Sequence, residues 1–437
     1  MPKICLTLPT NRPCAATISA IGEEAAHAAE HFDVEVHLLI LDSSDERALA
    51  EHARVVGEVA GAPNVIWHHL GEAAQRQFLR EVIDRAGVAK PELILDLMLP
   101  ADVSYGACTN RAFLIAGALG CRSVHRRDSD SGYQVLDGAP VFPVHHELMS
   151  LGKRAIDAVD GVSESTLAPE LADRPVVLVG SSFVGELSVD IGEIQRLDPD
   201  VYHDVVSLWA PAQASDEEKR QLVAESFTGA GTDPFVRDRS TLTIVDPMRL
   251  DMCNISFDHE VYDRVPLPPA TDTIGSDYFL MHLVHDARLP GVLHNRNIVN
   301  FYTKERRTDA GFMAYQLRFT KFFLSMLYFN FIYAGMAAAD AALLDDRHRV
   351  RASTIVALAR ESTWLDRAEN EQRLRELDRS YRKLGGRYAE FADILASCGR
   401  QLLDEARQDL EEFALLIEAW DPLMRASKAT SLYQPIP

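Results

Sequence analysis

Apolar residues in the first third of the chain come in short runs, and the runs alternate with longer stretches of helical spacing. Residues 3–9 (KICLTLP), 34–42 (VEVHLLILD) and 65–69 (VIWHH) read as strands, the second alternating at first and then continuously apolar. Residues 15–30 are alanine-rich with helical spacing, and residues 47–57 repeat that period. Strands separated by helices of roughly ten to fifteen residues predict βαβ units and a mostly parallel sheet. Further on, residues 109–119 read as a compact helix, 123–127 as a short strand, and 176–180 and 241–246 as two more. Glycine and proline breaks leave the order of elements over residues 137–239 undetermined. From about residue 309 the pattern changes: residues 312–344, 350–358, 367–384 and 388–420 are helical, the later ones amphipathic and densely charged. The expected fold class is α/β, a mostly parallel sheet flanked by helices over residues 1–308 with an all-helical C-terminal domain over residues 309–437.

One helix invites a different reading. Residues 322–339 (FFLSMLYFNFIYAGMAAA) carry no charge, a run at the lower edge of bilayer-spanning length. Ser325, Asn330 and Gly335 interrupt it, so a buried helix is expected and no stable membrane span.

Composition narrows the partners. The 437 residues carry 65 acidic against 44 basic side chains, a formal net charge of −21. Such a field repels phosphate, which argues against nucleic acid and anionic membranes as partners and requires local help from a metal or arginine for any phosphate-bearing ligand. Six cysteines lie far apart with no C-x-x-C spacing, as reduced thiols of a cytoplasmic protein would. No secretion signal is read at the amino terminus.

Candidate chemistry gathers where strands end. Thr10–Arg12, Asp42–Asp45 and Asp128–Asp130 all fall at carboxyl ends of expected strands, the side on which open α/β sheets bind ligands. In the triplet Asp128-Ser129-Asp130 two carboxylates flank one small residue, and in extended chain they would face the same way. Oxygen donors of that kind suit Mg²⁺ or Mn²⁺.

The order LPTNRP, LLILDSSDE, TNRAFLIAGALG and RRDSDSG resembles the nucleotide-sugar half of a GT-A-fold, family-2-like glycosyltransferase. Two later blocks extend the resemblance, residues 252–279 (MCNISFDHEVYDRVPLP, then TIGSDYF) and residues 293–307 (LHNRNIVNFYTKERR), so that it covers residues 1–307. It implies that Asp128 and Asp130 hold Mn²⁺ or Mg²⁺ on the donor diphosphate, with His294 as a third ligand. It implies a nucleotide-sugar site formed by Thr10, Asn11, Arg12, Asp42, Arg111, Asp128 and Ser129, with Arg306 and Arg307 as a phosphate clamp. Asp277, just before a helix over residues 278–288, would be the general base for the acceptor hydroxyl, and His282 and His285 would line the cleft. The implied activity is metal-dependent transfer of a sugar from a nucleoside diphosphate to an unknown small-molecule acceptor, with inversion or retention left open.

Two other readings remain. A nucleotidyltransferase would need a glycine-rich phosphate loop, and residues 7–13 hold no glycine. A catalytically silent scaffold would work through the helical tail, whose amphipathic stretch over residues 388–420 also suits a homodimer.

Overall fold

Nine strands form the central sheet of the computed structural model, which describes residues 1–187 and 191–432. In chain order they are β1 (Lys3–Thr10), β2 (Glu35–Asp42), β3 (Val65–Gly71), β4 (Ser123–Arg127), β5 (Glu164–Ser165), β6 (Leu178–Gly180), β7 (Ser240–Thr243), β8 (Asn254–Asp258) and β9 (Gly291–His294). Across the sheet the order is β3-β2-β1-β4-β8-β6-β9-β7-β5. The first four strands are parallel to one another; β8 runs antiparallel to both its neighbours, and β7 is antiparallel to β9. The remaining pairs, β6 with β9 and β5 with β7, are parallel, so the sheet is mostly parallel as expected.

The continuous apolar runs of β1 and β2 follow from their position, since a parallel strand covered on both faces has no polar side. Ile4, Leu6 and Leu8 alternate onto one face with Val36, Leu38 and Ile40, against helices α1 (Ala15–His31) and α2 (Glu46–Val59). Cys5, Leu39 and Leu41 take the other face, against α3 (Glu72–Ala86), α4 (Pro91–Met98) and α5 (Tyr105–Leu119). The Asp45 carboxylate caps α2 by accepting from the Ala48 N–H, and Ser104 caps α5 by accepting from Ala107.

After a short helix α6 (Phe279–Asp286) come α7 (Asp309–Ala339), α8 (Ala352–Ser362), α9 (Ala368–Leu384) and α10 (Gly386–Lys428). The length and composition of α7 are those of a membrane-crossing helix, yet 56% of its most apolar stretch is buried inside the fold. Phe319, Phe323, Leu324, Tyr328 and Ile332 are almost wholly covered. The apolar side of α10 is also spent within the chain, on α3, α5, α8 and α9. Trp420 donates from Nε1 to the Tyr262 carbonyl at 2.6 Å, and Ser427 Oγ donates to the Leu114 carbonyl on α5. A single hydrophobic core thus runs from Leu39 and Phe113 through Phe323 to Trp420, crossing residue 309 without a break.

Candidate functional site

The register of the sheet sets Thr10 beside Asp42, and Asp42 beside Gly71, so the carboxyl ends of β1, β2 and β3 lie level. On its other side β1 pairs with β4, reached only after the excursion through β2 and β3. Strand order reverses there, and at such a switch point diverging connections leave a crevice. A polar cleft of 650 Å³ occupies it. Thr10, Asn11, Arg12, Arg111, Asp128, Ser129 and Asp130, distant in sequence, all line this cleft.

The acidic triplet sits in a turn rather than in extended chain, and Ser131 Oγ closes the turn by donating to the Asp128 carbonyl at 2.6 Å. The turn sends the two carboxylates to different partners. Asp130 pairs with Arg12 at 3.3 Å and with Arg306 at 2.9 Å. Asp128 pairs with Arg126 Nη2 at 3.1 Å, while Nη1 of the same guanidinium donates to Asp277 at 2.6 Å. Arg126 therefore bridges the triplet to the carboxylate in the later block.

Asp277 is brought there by a clamp on α5. Asn110 exchanges two hydrogen bonds of 2.8 Å with the backbone of Leu267, and Ser104 Oγ donates to the Pro269 carbonyl at 3.0 Å. At Gly106 the two chains approach so closely that an added Cβ would lie 1.9 Å from the Pro268 oxygen. Tyr278 then donates to Asp251 at 3.0 Å, which adds a fourth carboxylate to the neighbourhood.

The charges of this neighbourhood are unbalanced locally. Asp128 shows 28% of its side chain to the cleft, but the walls strip away bulk water. That burial pushes its carboxyl up to about 6 against the pull of Arg126, and Asp130, Asp251 and Asp277 push the same way. Burial likewise raises Asp277, with Arg126 opposing. Asp128, part-exposed on the cleft, offers a hard oxygen of the kind Mg²⁺ or Mn²⁺ takes, while Asp130 is turned to Arg12 and Arg306. On the cationic side, Arg126 Nε, Arg306 Nη1 and Arg318 Nε are buried with no hydrogen-bond partner among the described residues. All three arginines line the cleft. Guanidinium groups gathered in this way suit a multivalent oxyanion, which can take N–H donors from several of them together.

Three of the expected site residues stand differently. The Asp42 carboxylate is 1% exposed and turned inward; it meets His52 Nδ1 at 2.7 Å, His69 Nε2 at 2.8 Å and the Ser44 N–H at 2.9 Å. Burial alone would raise it, but these donors hold it well below the usual carboxylate range. Asp42 thus orders the loop that borders the cleft instead of facing a ligand. Among the described residues, Asp42, His52 and His69 are the one trio close enough to share a cation, their ligand atoms lying within 4.8 Å. The Cys14 N–H donates to His52 Nε2 at 2.9 Å, which assigns the proton to Nδ1, where it is given to Asp42. Those bonds already satisfy His52, and the trio does not fit a metal.

His294 is the second difference. It lies on β9 stacked on His146 at 5.3 Å, outside the lining of the cleft that holds Asp128 and Asp130. Its Nδ1 accepts from the Arg296 N–H at 3.2 Å. Burial lowers its pKa far below the ordinary value. Arg111, the third, lines the cleft but gives Nε to Gln75 at 2.8 Å and Nη1 to the Met98 carbonyl at 2.6 Å, so it also braces α5 against α3 and α4. Sequence reasoning missed Arg126, Asp251, Tyr278 and Arg318; the two arginines in a row just before the triplet, in a strand otherwise buried, were the available signal for the first.

Fold and cleft together define an α/β protein with an arginine-lined crevice at the carboxyl edge of its sheet. The chain belongs to the family described as DUF6271, a family of unknown function, which it matches over residues 2–435. No curated protein matches it in sequence. Among solved structures it is similar to the mannosyltransferase PcManGT from Pyrobaculum calidifontis in complex with GDP-Man and Mn²⁺, at 14% identity and TM-score 0.35, covering 96% of this chain and 86% of that one. It is also similar to a mycobacterial protein of known crystal structure, at 14% identity and TM-score 0.34, covering 76% and 75% of the two chains. Both likenesses are too distant to bear on what this chain binds.

Proposed function

We propose that the protein is a metal-dependent glycosyltransferase that moves a sugar from a nucleoside diphosphate to an acceptor hydroxyl. The observation that carries this reading is the cleft at the switch point, where Arg12, Arg126, Arg306 and Arg318 line the walls beside the carboxylates Asp128 and Asp130 in a chain of net charge −21. Thr10, Asn11 and Arg12 would border the nucleoside at the end of β1, and Arg126, Arg306 and Arg318 would take the diphosphate oxygens. Mn²⁺ or Mg²⁺, held by Asp128 with Asp130, would neutralise charge that develops on the leaving diphosphate. Asp277, raised by burial and fixed by Arg126, would receive the proton of the acceptor hydroxyl if the configuration inverts.

Thermal unfolding with Mn²⁺ and a panel of nucleoside diphosphates tests the reading. A diphosphate that binds only the native state should stabilise it by about 2.7 kcal/mol at a hundredfold excess over its dissociation constant. Asp128→Asn and Asp130→Asn should abolish the metal-dependent part of the shift. No shift with any nucleotide, with or without metal, would sink the proposal.

A further inference from the structure

The polar cleft does not end at Asp128. A second cavity, of 210 Å³, opens on the far side, and the two share Tyr105, Asp128, Arg306 and Tyr315 in their walls. Asp277 belongs to the second cavity alone. One wall of it is a stripe on α7: Phe322, Met326, Phe329 and Tyr333 recur at intervals of four, three and four, the spacing of a single helical face. Trp209, packed edge-on to Phe322 at 5.2 Å, and Phe227, 6.1 Å from Trp209, extend this aromatic lining. Gly275 has φ +75°, and a Cβ there would come within 2.8 Å of Phe322, so the loop that delivers Asp277 lies directly on the aromatic stripe.

Several of the polar groups in this cavity are already engaged within the fold. Away from the carboxylates, Ser325 Oγ donates to the Phe322 carbonyl at 2.7 Å, and Asn300 Nδ2 donates to Glu186 at 2.9 Å. His282 lies flat on Tyr333 at 4.0 Å, and burial pushes its pKa down to about 3. Glu225 and Thr228 stand exposed at the mouth. A sugar acceptor would bring hydroxyls against this aromatic lining as well, and those facing Phe322, Met326 and Phe329 would find no partner there, at a desolvation cost for each. The cavity is also too small for a long lipid chain.

Resting on the transferase reading above, we propose that the acceptor is a small apolar ring compound, aromatic or alicyclic, that carries its reacting hydroxyl at one end. Its rings lie against the aromatic lining formed by the α7 stripe and Trp209, and its hydroxyl reaches Asp277 beside Asp128. In the transfer the acceptor oxygen forms a bond to the anomeric carbon while the bond from that carbon to the diphosphate oxygen breaks. The bonding pair leaves with the nucleoside diphosphate, and the hydroxyl proton passes to the Asp277 carboxylate.

The test is binding of 2-naphthol and 4-methylumbelliferone to the full chain, measured by calorimetry, beside Mn²⁺-dependent binding of the nucleoside diphosphate panel. Met326→Trp should fill the cavity and weaken both phenols at least tenfold while leaving the diphosphate constant within twofold. The milder Met326→Phe serves if the first variant melts abnormally. Diphosphate binding without phenol binding, above all with glucose or maltose bound instead, overturns the acceptor class and leaves the transferase reading intact. Phenol binding that survives both substitutions places the phenols elsewhere and overturns the inference. Phenol binding with no diphosphate bound overturns it as an acceptor site and removes the transferase reading with it.

Discussion

Arg126 and Arg127 are neighbours on β4, and their side chains point to opposite faces of the sheet. Arg126 joins Asp128 to Asp277 in the cleft. Arg127 is 1% exposed and donates to Glu24 at 2.7 and 3.0 Å and to Glu147 at 3.1 Å. Glu24 also accepts from Tyr133 and the Val144 N–H, and Glu147 meets His125 at 2.7 Å. Removing the cation would strand two buried carboxylates, so Arg127→Ala should destabilise by about 3–5 kcal/mol in urea unfolding. Arg126→Lys should cost far less stability but weaken diphosphate binding, since a point charge cannot bridge two carboxylates as a fork does. Glu147 adds a pH dependence. Burial would raise its pKa, but Arg127 and His125 prevail and hold it at about 2, below the ordinary 4.5. A depressed carboxyl contributes its full stability above 4.5 and loses it as pH falls toward 2. In Glu147→Gln that acid limb should flatten, which unfolding curves at a series of acidic pH values would reveal; an unchanged limb would mean other carboxylates govern it.

Whole elements were legible in the sequence to the extent that burial left a mark on it. β1 and β2 announce themselves because covered parallel strands are largely apolar, β3 opens on Val65, Ile66 and Trp67, and α1, α2, α5 and the tail helices keep a clear period. β8 leaves no such mark because Asn254, Ser256 and Asp258 break its apolar run, and β9 because only Val292 and Leu293 of its four residues are apolar. Helices α3 and α4 were passed over as well. Within the site, Thr10, Arg12 and Asp128 to Asp130 were legible because they sit at strand ends, which is a local property. The inward turn of Asp42 was not, since it depends on His52 and His69 arriving from α2 and β3. Nor was the geometry of the triplet, which turns where the sequence suggested extension. The clamp between α5 and residues 267–269 was equally hidden, because Gly106 and Asn110 look ordinary until Pro268 and Leu267 are set against them. This clamp makes a prediction of its own. In Gly106→Ala the new methyl must push against a backbone oxygen, with an overpacking cost of about 1–3 kcal/mol. The loop carrying Asp277 should shift with it. Melting should fall by a few degrees and turnover should drop, while the diphosphate dissociation constant stays near that of the parent; a parental turnover would show that the clamp does not position Asp277.

The whole molecule binds its halves together through α7. Its first turns bring Tyr315 and Arg318 to the polar cleft, and its middle brings Phe322, Met326 and Phe329 to the apolar cavity. The helical part of the chain is therefore a wall of the site, and the continuous core explains how that wall is held still. Tyr262 stacks on Phe113 at 4.6 Å beneath the sheet while its carbonyl receives Trp420 from α10, so the two ends of the chain share one packing unit. A chain cut after residue 308 would bare Phe113, Tyr262 and Phe279, whose present cover includes Trp420, Phe413 and Phe329. Such a fragment should neither fold nor bind diphosphate. Cooperativity gives a direct measure. Trp67 lies on β3 and Trp420 on α10, both almost fully buried. In variants that keep only Trp67 or only Trp420 of the chain's four tryptophans, urea transitions followed by fluorescence should coincide, as they must when no intermediate accumulates. If the Trp420 signal moves at lower urea than that of Trp67, the helices form a unit that detaches first. The cleft would then lose Arg318 before the sheet unfolds, and diphosphate should raise the Trp420 midpoint more than that of Trp67.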